Sequence, residues 1–219
     1  MLIDIHRHAK DPGAADFCLQ NLFHTQRSEI TGGRYFTLGL HPWHVKEESI
    51  AEDLAMIREA AEYPQVLAIG ESGLDKSNNT PLNVQMEAFE GQVKIAVEVN
   101  KPMIIHCVRA YNEVLQMKKK IRHKKPWIIH WFNASAETAD QLLKKDFYLS
   151  FGHMLFNEQS KAYSAFPHID ISRIFFETDD ASYSIAEVYE RAVQIKGLKS
   201  SELEKQIRNN FQQCFGLKL

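Results

Sequence analysis

Short apolar runs alternate with longer segments of helical periodicity along most of this 219-residue chain. Such alternation predicts a parallel sheet with right-handed helical crossovers, because parallel neighbours need a long connection between them. The sequence predicts seven or eight strands, depending on whether Cys18–Phe23 is counted; they are Leu2–Ile5, Cys18–Phe23, Tyr35–Leu40, Val66–Gly70, Met103–Ile105, Trp127–Ile129, Phe147–Phe151 and Ile174–Phe176. Eight parallel strands of this kind can close on themselves. We therefore expect an α/β fold, a (β/α)8 TIM barrel.

Helical periodicity is clear after the third strand and weak before it. The predicted helices are Ser49–Tyr63, Asn83–Asn100, Tyr111–Ile121, Ala136–Lys144, Glu158–Phe166, Ile185–Lys196 and Ser201–Phe215. By contrast, Ala9–Asp16 and Thr25–Arg34 are short or rich in turn residues, and the first contains the turn Asp11-Pro12-Gly13. We therefore expect the early helices of the barrel to be reduced or missing.

Composition narrows the class of protein. With 44% hydrophobic residues and neither a repeat nor a linker, residues 1–219 are expected to form one domain. The formal charge of -2 provides no broad basic field, although a local basic groove remains compatible with it. Cys18, Cys107 and Cys214 are odd in number and widely spaced, which argues against a disulfide framework.

The sequence also predicts where the protein acts. No apolar run approaches the roughly 20 residues that a membrane-spanning helix needs. Asp4 and His6 interrupt the first apolar run, so it is not expected to be a signal peptide. We expect a cytoplasmic protein with no membrane partner.

Residues of the types that bind metal ions recur at or just beyond the ends of the predicted strands. His6 and His8 are two residues apart, and in extended backbone they point to the same side. The carboxyl ends of barrel strands meet on one face, where catalytic residues lie in enzymes of this architecture. The candidate metal ligands are His6, His8, Glu71, His106, His130 and Asp179.

Imidazole and carboxylate groups suit two divalent metal ions such as Mg²⁺, Mn²⁺ or Zn²⁺. Two ions roughly 3.5–4 Å apart polarise a substrate and ionise water, and a bridging carboxylate is needed to hold them together. We assign His6, His8 and Asp179 to one ion, His106 and His130 to the other, and Glu71 to both. Glu71 and Asp179 are the expected catalytic residues, with Asp179 accepting the proton of the attacking water.

Other polar residues lie beside this set. His41, His44 and His153 follow predicted strands on the same face and could donate hydrogen bonds to a substrate. His41 and His153 are the stronger candidates for substrate binding. Asp75 is expected to organise a loop near the metal ions, because aspartate favours turns.

These motifs resemble those of the TatD-like metal-dependent hydrolases, which are related to the amidohydrolase superfamily. The matching stretches are Asp4-Ile5-His6-Arg7-His8, Gly39-Leu40-His41-Pro42, Ile69-Gly70-Glu71-Ser72-Gly73-Leu74-Asp75, Ile105-His106-Cys107, Ile129-His130-Trp131-Phe132 and Glu177-Thr178-Asp179. The resemblance implies a (β/α)8 barrel, a two-metal site and hydrolysis of phosphodiesters, typically as a magnesium-dependent deoxyribonuclease. The expected substrate is DNA or a small phosphodiester.

The chain departs from the family pattern in two places. Members of the family often have His-x-Arg-Asp, whereas this chain has His106-Cys107-Val108-Arg109, so the arginine lies one position later. After Asp179, the usual Ala-Pro is replaced by Asp180-Ala181-Ser182. Both departures concern the substrate pocket. They leave the candidate metal ligands intact.

Three functions remain compatible with the sequence. The first is a nuclease or phosphodiesterase, and the second is a hydrolase of amides, lactones or phosphotriesters on the same barrel. Relatives of the second kind often bridge their metal ions with a carbamylated lysine on the fourth strand, where this chain has Glu71. The nuclease or phosphodiesterase function is therefore favoured over the second. The third function is that of a non-catalytic metal-binding protein. The sequence does not determine the oligomeric state.

Overall fold

A computed structural model of the chain describes residues 1–9, 11 and 13–219. The strands are β1 (Ile3–Arg7), β2 (Phe17–Phe23), β3 (Tyr35–Gly39), β4 (Val66–Asp75), β5 (Met103–Val108), β6 (Trp127–Ile129), β7 (Phe147–Phe151) and β8 (Ile174–Phe176). They follow one another in sequence order within one eight-stranded sheet. The pairs β1–β2, β3–β4, β4–β5 and β7–β8 are parallel. This is the order predicted for a (β/α)8 barrel.

The helices lie where the periodicity predicts them, within a few residues. They are α1 (Ile50–Ala61), α2 (Leu82–Glu98), α3 (Tyr111–Lys120), α4 (Ala136–Leu143), α5 (Lys161–Ala165), α6 (Ile185–Lys196) and α7 (Ser200–Phe215). Helix α5 is shorter than predicted at both ends. Its start is capped by Ser160, whose hydroxyl accepts from the Tyr163 N–H, and after Ala165 the chain continues as a separate 3-10 turn, Phe166–His168, that contains Pro167. No helix in the described part of the chain is long and apolar enough to cross a membrane.

The early helices are reduced, as predicted. Between β1 and β2 the described residues contain no helix, and between β2 and β3 they form only a 3-10 turn, His24–Glu29. Nε2 of His24 in this turn lies 2.9 Å from Oδ1 of Asp53 on α1, and the Ser49 hydroxyl donates to the same carboxylate. The predicted turn at Asp11-Pro12-Gly13 includes Pro12, which is outside the described residues.

The chain separates into two compact units, the terminal unit (Met1–Gln20 with Ile129–Leu219) and the central unit (Asn21–Ile128). In the terminal unit, the aromatic rings of Phe151 and Phe166 pack at 4.8 Å and those of Phe176 and Tyr189 at 4.6 Å. The core of the central unit contains Phe89, whose ring lies 5.8 Å from that of the fully buried Trp127. Each unit therefore has its own apolar core.

Three strands continue further than predicted, and this changes where three candidate ligands lie. Strand β1 continues to Arg7, β4 to Asp75 and β5 to Val108, so His6, Glu71 and His106 lie inside strands rather than just beyond their ends. The run Gly70-Glu71-Ser72-Gly73 resembles a turn in sequence, but it pairs with β5, with an irregular register between Ile69 and Ser72. Pairing with β5 outweighed the local preference of the two glycines for a turn.

The glycines of this run are required by the closeness of β5. A Cβ atom on Gly70 would lie 2.3 Å from the carbonyl oxygen of Ile104, and one on Gly73 would lie 2.0 Å from that of His106. Both glycines also have φ near +148°, which side chains disfavour. The two positions thus allow β4 to carry Glu71 close to the backbone of β5.

Candidate metal centre

In the terminal unit, a buried carboxylate joins β1 to the segment that follows β8. The Thr178 hydroxyl donates to Oδ2 of Asp4 at 2.6 Å, and the Thr178 N–H donates to Oδ1 at 3.2 Å. The His6 N–H also donates to Asp4, and Arg7 donates to the Thr178 oxygen. The backbone continues the connection, since the Asp179 N–H donates to the carbonyl of His6. These bonds place Asp179 beside His6 on β1 and His8 just after it.

The side chains of His6, His8 and Asp179 form the first cluster of metal-type ligands. Oδ1 of Asp179 lies 3.2 Å from Nε2 of His8 and 3.7 Å from Nε2 of His6. The ring of His130 lies 4.4 Å from that of His6. Ligands at 2.0–2.1 Å from a tetrahedral ion are about 3.3 Å apart, so these separations suit a divalent metal ion.

Backbone strain occurs at one residue of this cluster and at the residue that follows His130. Asp179 has φ of +54° and Trp131, next to His130, has φ of +44°. Non-glycine residues in this region are uncommon and concentrate at functional sites. The Trp131 N–H donates to Glu177, and Oε1 of Glu177 lies 3.5 Å from Nδ1 of His130. A carboxylate at one imidazole nitrogen orients the ring and leaves the other nitrogen for a metal ion.

In the central unit, donor atoms of His41, Glu71 and His106 all lie within 4.8 Å of one another. Oε1 of Glu71 is 2.8 Å from Nδ1 of His106 and 3.1 Å from Nε2 of His41, and the two nitrogens are 3.2 Å apart. All three side chains are buried. These distances also suit the ligand shell of a divalent ion.

Hydrogen bonds to the outer nitrogens separate the roles of the two histidines. The Trp43 N–H donates to Nδ1 of His41, so neutral His41 carries its proton on Nε2 and is a donor at the position facing Glu71. His106 has the opposite arrangement, since Oδ2 of Asp75 lies 3.1 Å from its Nε2. With the proton on Nε2, Nδ1 of His106 is available as a ligand.

Asp75 is held as a carboxylate. Burial opposes its ionisation, but hydrogen bonds from Ser77, Trp43 and His106 outweigh that effect and lower the pKa of Asp75 to about 2. Its Oδ1 accepts from the Ser77 N–H, and its Oδ2 accepts from the Trp43 indole at 2.7 Å. Asp75 therefore organises the segment after β4, as predicted, and in addition lies against His106.

Asn21 on β2 holds the backbone of Glu71. Its Oδ1 accepts from the Glu71 N–H at 2.9 Å and from the Thr37 hydroxyl at 2.8 Å. The side chain is 3% exposed, so these bonds have little competition from water. A strand assigned only weakly from the sequence thus supplies the support for a central candidate ligand.

The structure brings the candidate residues together within each unit. His6, His8, His130 and Asp179 adjoin one another in the terminal unit, and Glu71 and His106 do so in the central unit. Of the predicted substrate-binding residues, His41 contacts Glu71, and the ring of His153 lies 4.9 Å from that of Trp131. His44 is exposed, with its ring 5.7 Å from that of His41. The six-ligand assignment stays a prediction.

The sequence motifs predicted no role for four residues that the structure places at these two clusters. They are Asp4, Asn21, Trp43 and Glu177. A signal existed for Asp4, because the two-residue period of a strand puts it on the same side as His6 and His8. Trp43 and Glu177 belong to or adjoin the matched motifs, but nothing local in the sequence predicts which ring each one contacts.

Asp4 should make stability depend on pH. Burial raises the pKa of Asp4 from 3.8 to about 7, although bonds from Thr178 and His6 oppose the rise. Above about pH 4 the unfolded chain loses this proton and the folded chain keeps it, so stability falls as pH rises from about 4 to about 7. We expect the free energy of unfolding of Asp4→Asn to decrease over this pH range by on the order of 2–4 kcal/mol less than that of wild type.

Urea denaturation of the metal-free protein across this pH range measures the effect. Asp140→Asn is the matched control, because Asp140 is an exposed carboxylate on α4 of the same unit. It should keep the wild-type pH profile. Parallel profiles for wild type and Asp4→Asn would contradict the assignment of the buried proton to Asp4.

Comparison with known proteins identifies relatives over most of the chain. A family model described as "TatD related DNase" matches residues 21–216. The metal-dependent hydrolase YabD of Bacillus subtilis is 37% identical over 148 residues, which cover 66% of this chain and 58% of YabD. The "3'-5' ssDNA/RNA exonuclease TatD" of Erwinia tasmaniensis is 31% identical over 147 residues, or 65% of this chain and 56% of that protein. The matched part thus spans little more than half of each relative.

Solved structures agree with the fold. The TatD homologue YjjV of Escherichia coli superimposes with a TM-score of 0.87 at 19% identity, covering 99% of this chain and 98% of that one. A TatD family hydrolase of Entamoeba histolytica gives a TM-score of 0.80 at 15% identity, covering 99% and 98% of the two chains. These likenesses confirm the predicted (β/α)8 TIM barrel.

Proposed function

The chain belongs to the TatD-related DNase family, and on that basis we propose that it is a metal-dependent hydrolase that cleaves phosphodiester bonds in DNA. The observation that carries the proposal is the cluster of His6, His8 and Asp179, whose donor atoms have the separations of a ligand shell. The name of the Erwinia relative supports a single-stranded nucleic acid as the substrate. A small phosphodiester has the same reacting group.

Two divalent ions such as Mg²⁺, Mn²⁺ or Zn²⁺, when bound, would neutralise charge on the phosphoryl oxygens and lower the pKa of water. We assign one ion to His6, His8 and Asp179 and the second to His106 and His130, with Glu71 shared. The assignment rests on the sequence motifs and on the donor chemistry of each cluster. Asp75 and Glu177 support it, because each faces the outer nitrogen of one histidine.

The side chains of the chain itself perform the proton transfer and the positioning. Asp179 takes the proton of the attacking water on a carboxylate oxygen. His41 presents Nε2–H, the tautomer set by the Trp43 N–H, and donates to an oxygen of the substrate. The left-handed backbone at Asp179 fixes the direction of its carboxylate before the substrate arrives.

A hydrolysis assay with three substrates tests the proposal. Purified protein is incubated with labelled single-stranded DNA, bis(p-nitrophenyl) phosphate and a lactone, each with Mg²⁺, Mn²⁺ or Zn²⁺ or with a chelator. We expect cleavage of both phosphodiesters with metal and none with chelator, and no lactone hydrolysis. Lactone hydrolysis without phosphodiester cleavage would assign the chain to the second class of hydrolase. Inactivity on all three substrates would overturn the proposal.

A further inference from the structure

A large aromatic side chain beside the central cluster is left open to solvent. Trp43 is 60% exposed, the highest value among the large hydrophobic side chains of the described residues. It follows His41 and Pro42 in a 3-10 turn, Pro42–His44, directly after β3. An exposed indole next to convergent polar groups is typical of a binding site, because tryptophan contributes large contact area at low entropic cost.

The indole is held in place from two sides. Its Nε1–H donates to Oδ2 of Asp75 at 2.7 Å, and its backbone N–H donates to Nδ1 of His41 at 3.1 Å. Asp75 is in turn fixed by the N–H and hydroxyl of Ser77. These bonds restrain the ring before any ligand binds, so little rotamer entropy remains to be lost on binding.

The ring orientation leaves the indole surface accessible near the cluster. The ring of Trp43 meets the ring of His41 edge to face at 5.0 Å and that of His106 at 6.1 Å, with interplanar angles of 88° and 74°. Neither imidazole is therefore stacked on the indole. A planar group bound to the face of Trp43 would lie within a few ångströms of two residues of the candidate centre.

We propose that Trp43 is a stacking platform for a nucleobase of the substrate and selects nucleic acid over phosphodiesters without bases. The inference rests on the proposed function and specifies its substrate class. Every base has a flat π face, so such a platform tolerates sequence variation and adds affinity for each stacked base. Loss of one stacked base should weaken binding about tenfold.

Binding of two oligonucleotides separates base stacking from backbone recognition. Fluorescence anisotropy is measured on metal-loaded protein with a single-stranded oligothymidine and with an abasic strand of equal length, both with phosphorothioate linkages that resist hydrolysis. Wild type should bind the oligothymidine about tenfold more tightly than the abasic strand. Trp43→Ala should lose this preference and bind both strands with the affinity that wild type has for the abasic one.

Two further variants distinguish stacking from an indirect effect. Trp43→Phe keeps a ring and loses the N–H that reaches Asp75, so it should retain most of the preference. Tyr63→Ala removes another exposed aromatic ring, 48% exposed and just before β4, and should behave as wild type. If Trp43→Phe matches Trp43→Ala, the bond to Asp75 rather than stacking is responsible, and the inference fails.

The binding results separate this inference from the proposed function, two of them measured on wild type and one on Trp43→Ala. Tight and equal binding of both strands would overturn the role of Trp43 and leave a phosphodiesterase intact. Binding of neither strand would overturn the nuclease proposal together with the inference. Weakened binding of both strands by Trp43→Ala, in equal proportion, would also contradict stacking, since the abasic strand has no base to lose.

Discussion

Asp179→Asn should lower kcat for phosphodiester hydrolysis about 1000-fold or more while the protein remains folded. In the proposed function, Asp179 both binds a metal ion and takes the proton of water, and general base catalysis alone contributes about 100- to 10,000-fold. Asparagine is the informative replacement, because it tolerates the left-handed backbone of this position, where φ is +54°. Alanine would add backbone strain to the chemical change.

The neighbouring residue provides a control for Asp179. Asp180 is an exposed carboxylate, and Asp180→Asn changes the charge by the same amount one residue away. We expect its kcat to stay within about twofold of wild type and both variants to keep the wild-type free energy of unfolding to about 1 kcal/mol. A fully active Asp179→Asn with unchanged metal content would refute the assigned role.

Glu71→Gln should remove at least one metal ion from the protein and lower kcat by about 100-fold or more. A carboxylate can bind two cations at once and its negative charge reduces the repulsion between them, whereas a neutral amide has no charge with which to do so. Glutamine preserves the size of the side chain and leaves the Glu71 N–H bonded to Asn21, so the backbone of β4 should be unaffected. Metal analysis of the purified variant, read beside kcat, measures the two effects separately.

Glu87→Gln is the control for this variant. Glu87 is an exposed carboxylate on α2 of the same central unit, away from the cluster. It should retain both the metal content and the rate of wild type. If Glu71→Gln binds the full complement of metal and turns over normally, the shared-ligand role is wrong, even with the fold and the family unchanged.

Much of the fold followed from local patterns. The two-residue period of strands and the longer period of helices predicted seven or eight strands and seven helices, and the weak periodicity after the first strand predicted the reduced early helices. The end of β4 was misplaced, because glycine is a strong local signal for a turn. At Gly70 and Gly73 it instead permits close approach of two strands.

The sequence predicted which residue types form the candidate site, but not which residues each of them contacts. The alternation of extended backbone predicted that His6 and His8 lie on one side, and strand position brought Asp179 into the same set. The sequence could not predict that His41 carries its proton on Nε2, because that depends on the N–H of Trp43. Nor could it predict that His106 would lie between Asp75 and Glu71.

By itself, the sequence determined the strand and helix order, the family and the kinds of metal ligand, because local period and motif spacing encode them. Tertiary structure alone decided that Asp4 is buried with a raised pKa, that Asp75 is held ionised against His106, and that Trp43 is left exposed. The reason is physical. Burial, tautomer and pKa depend on neighbours from distant parts of the chain, and the local periodicity of the sequence does not predict which residues those are.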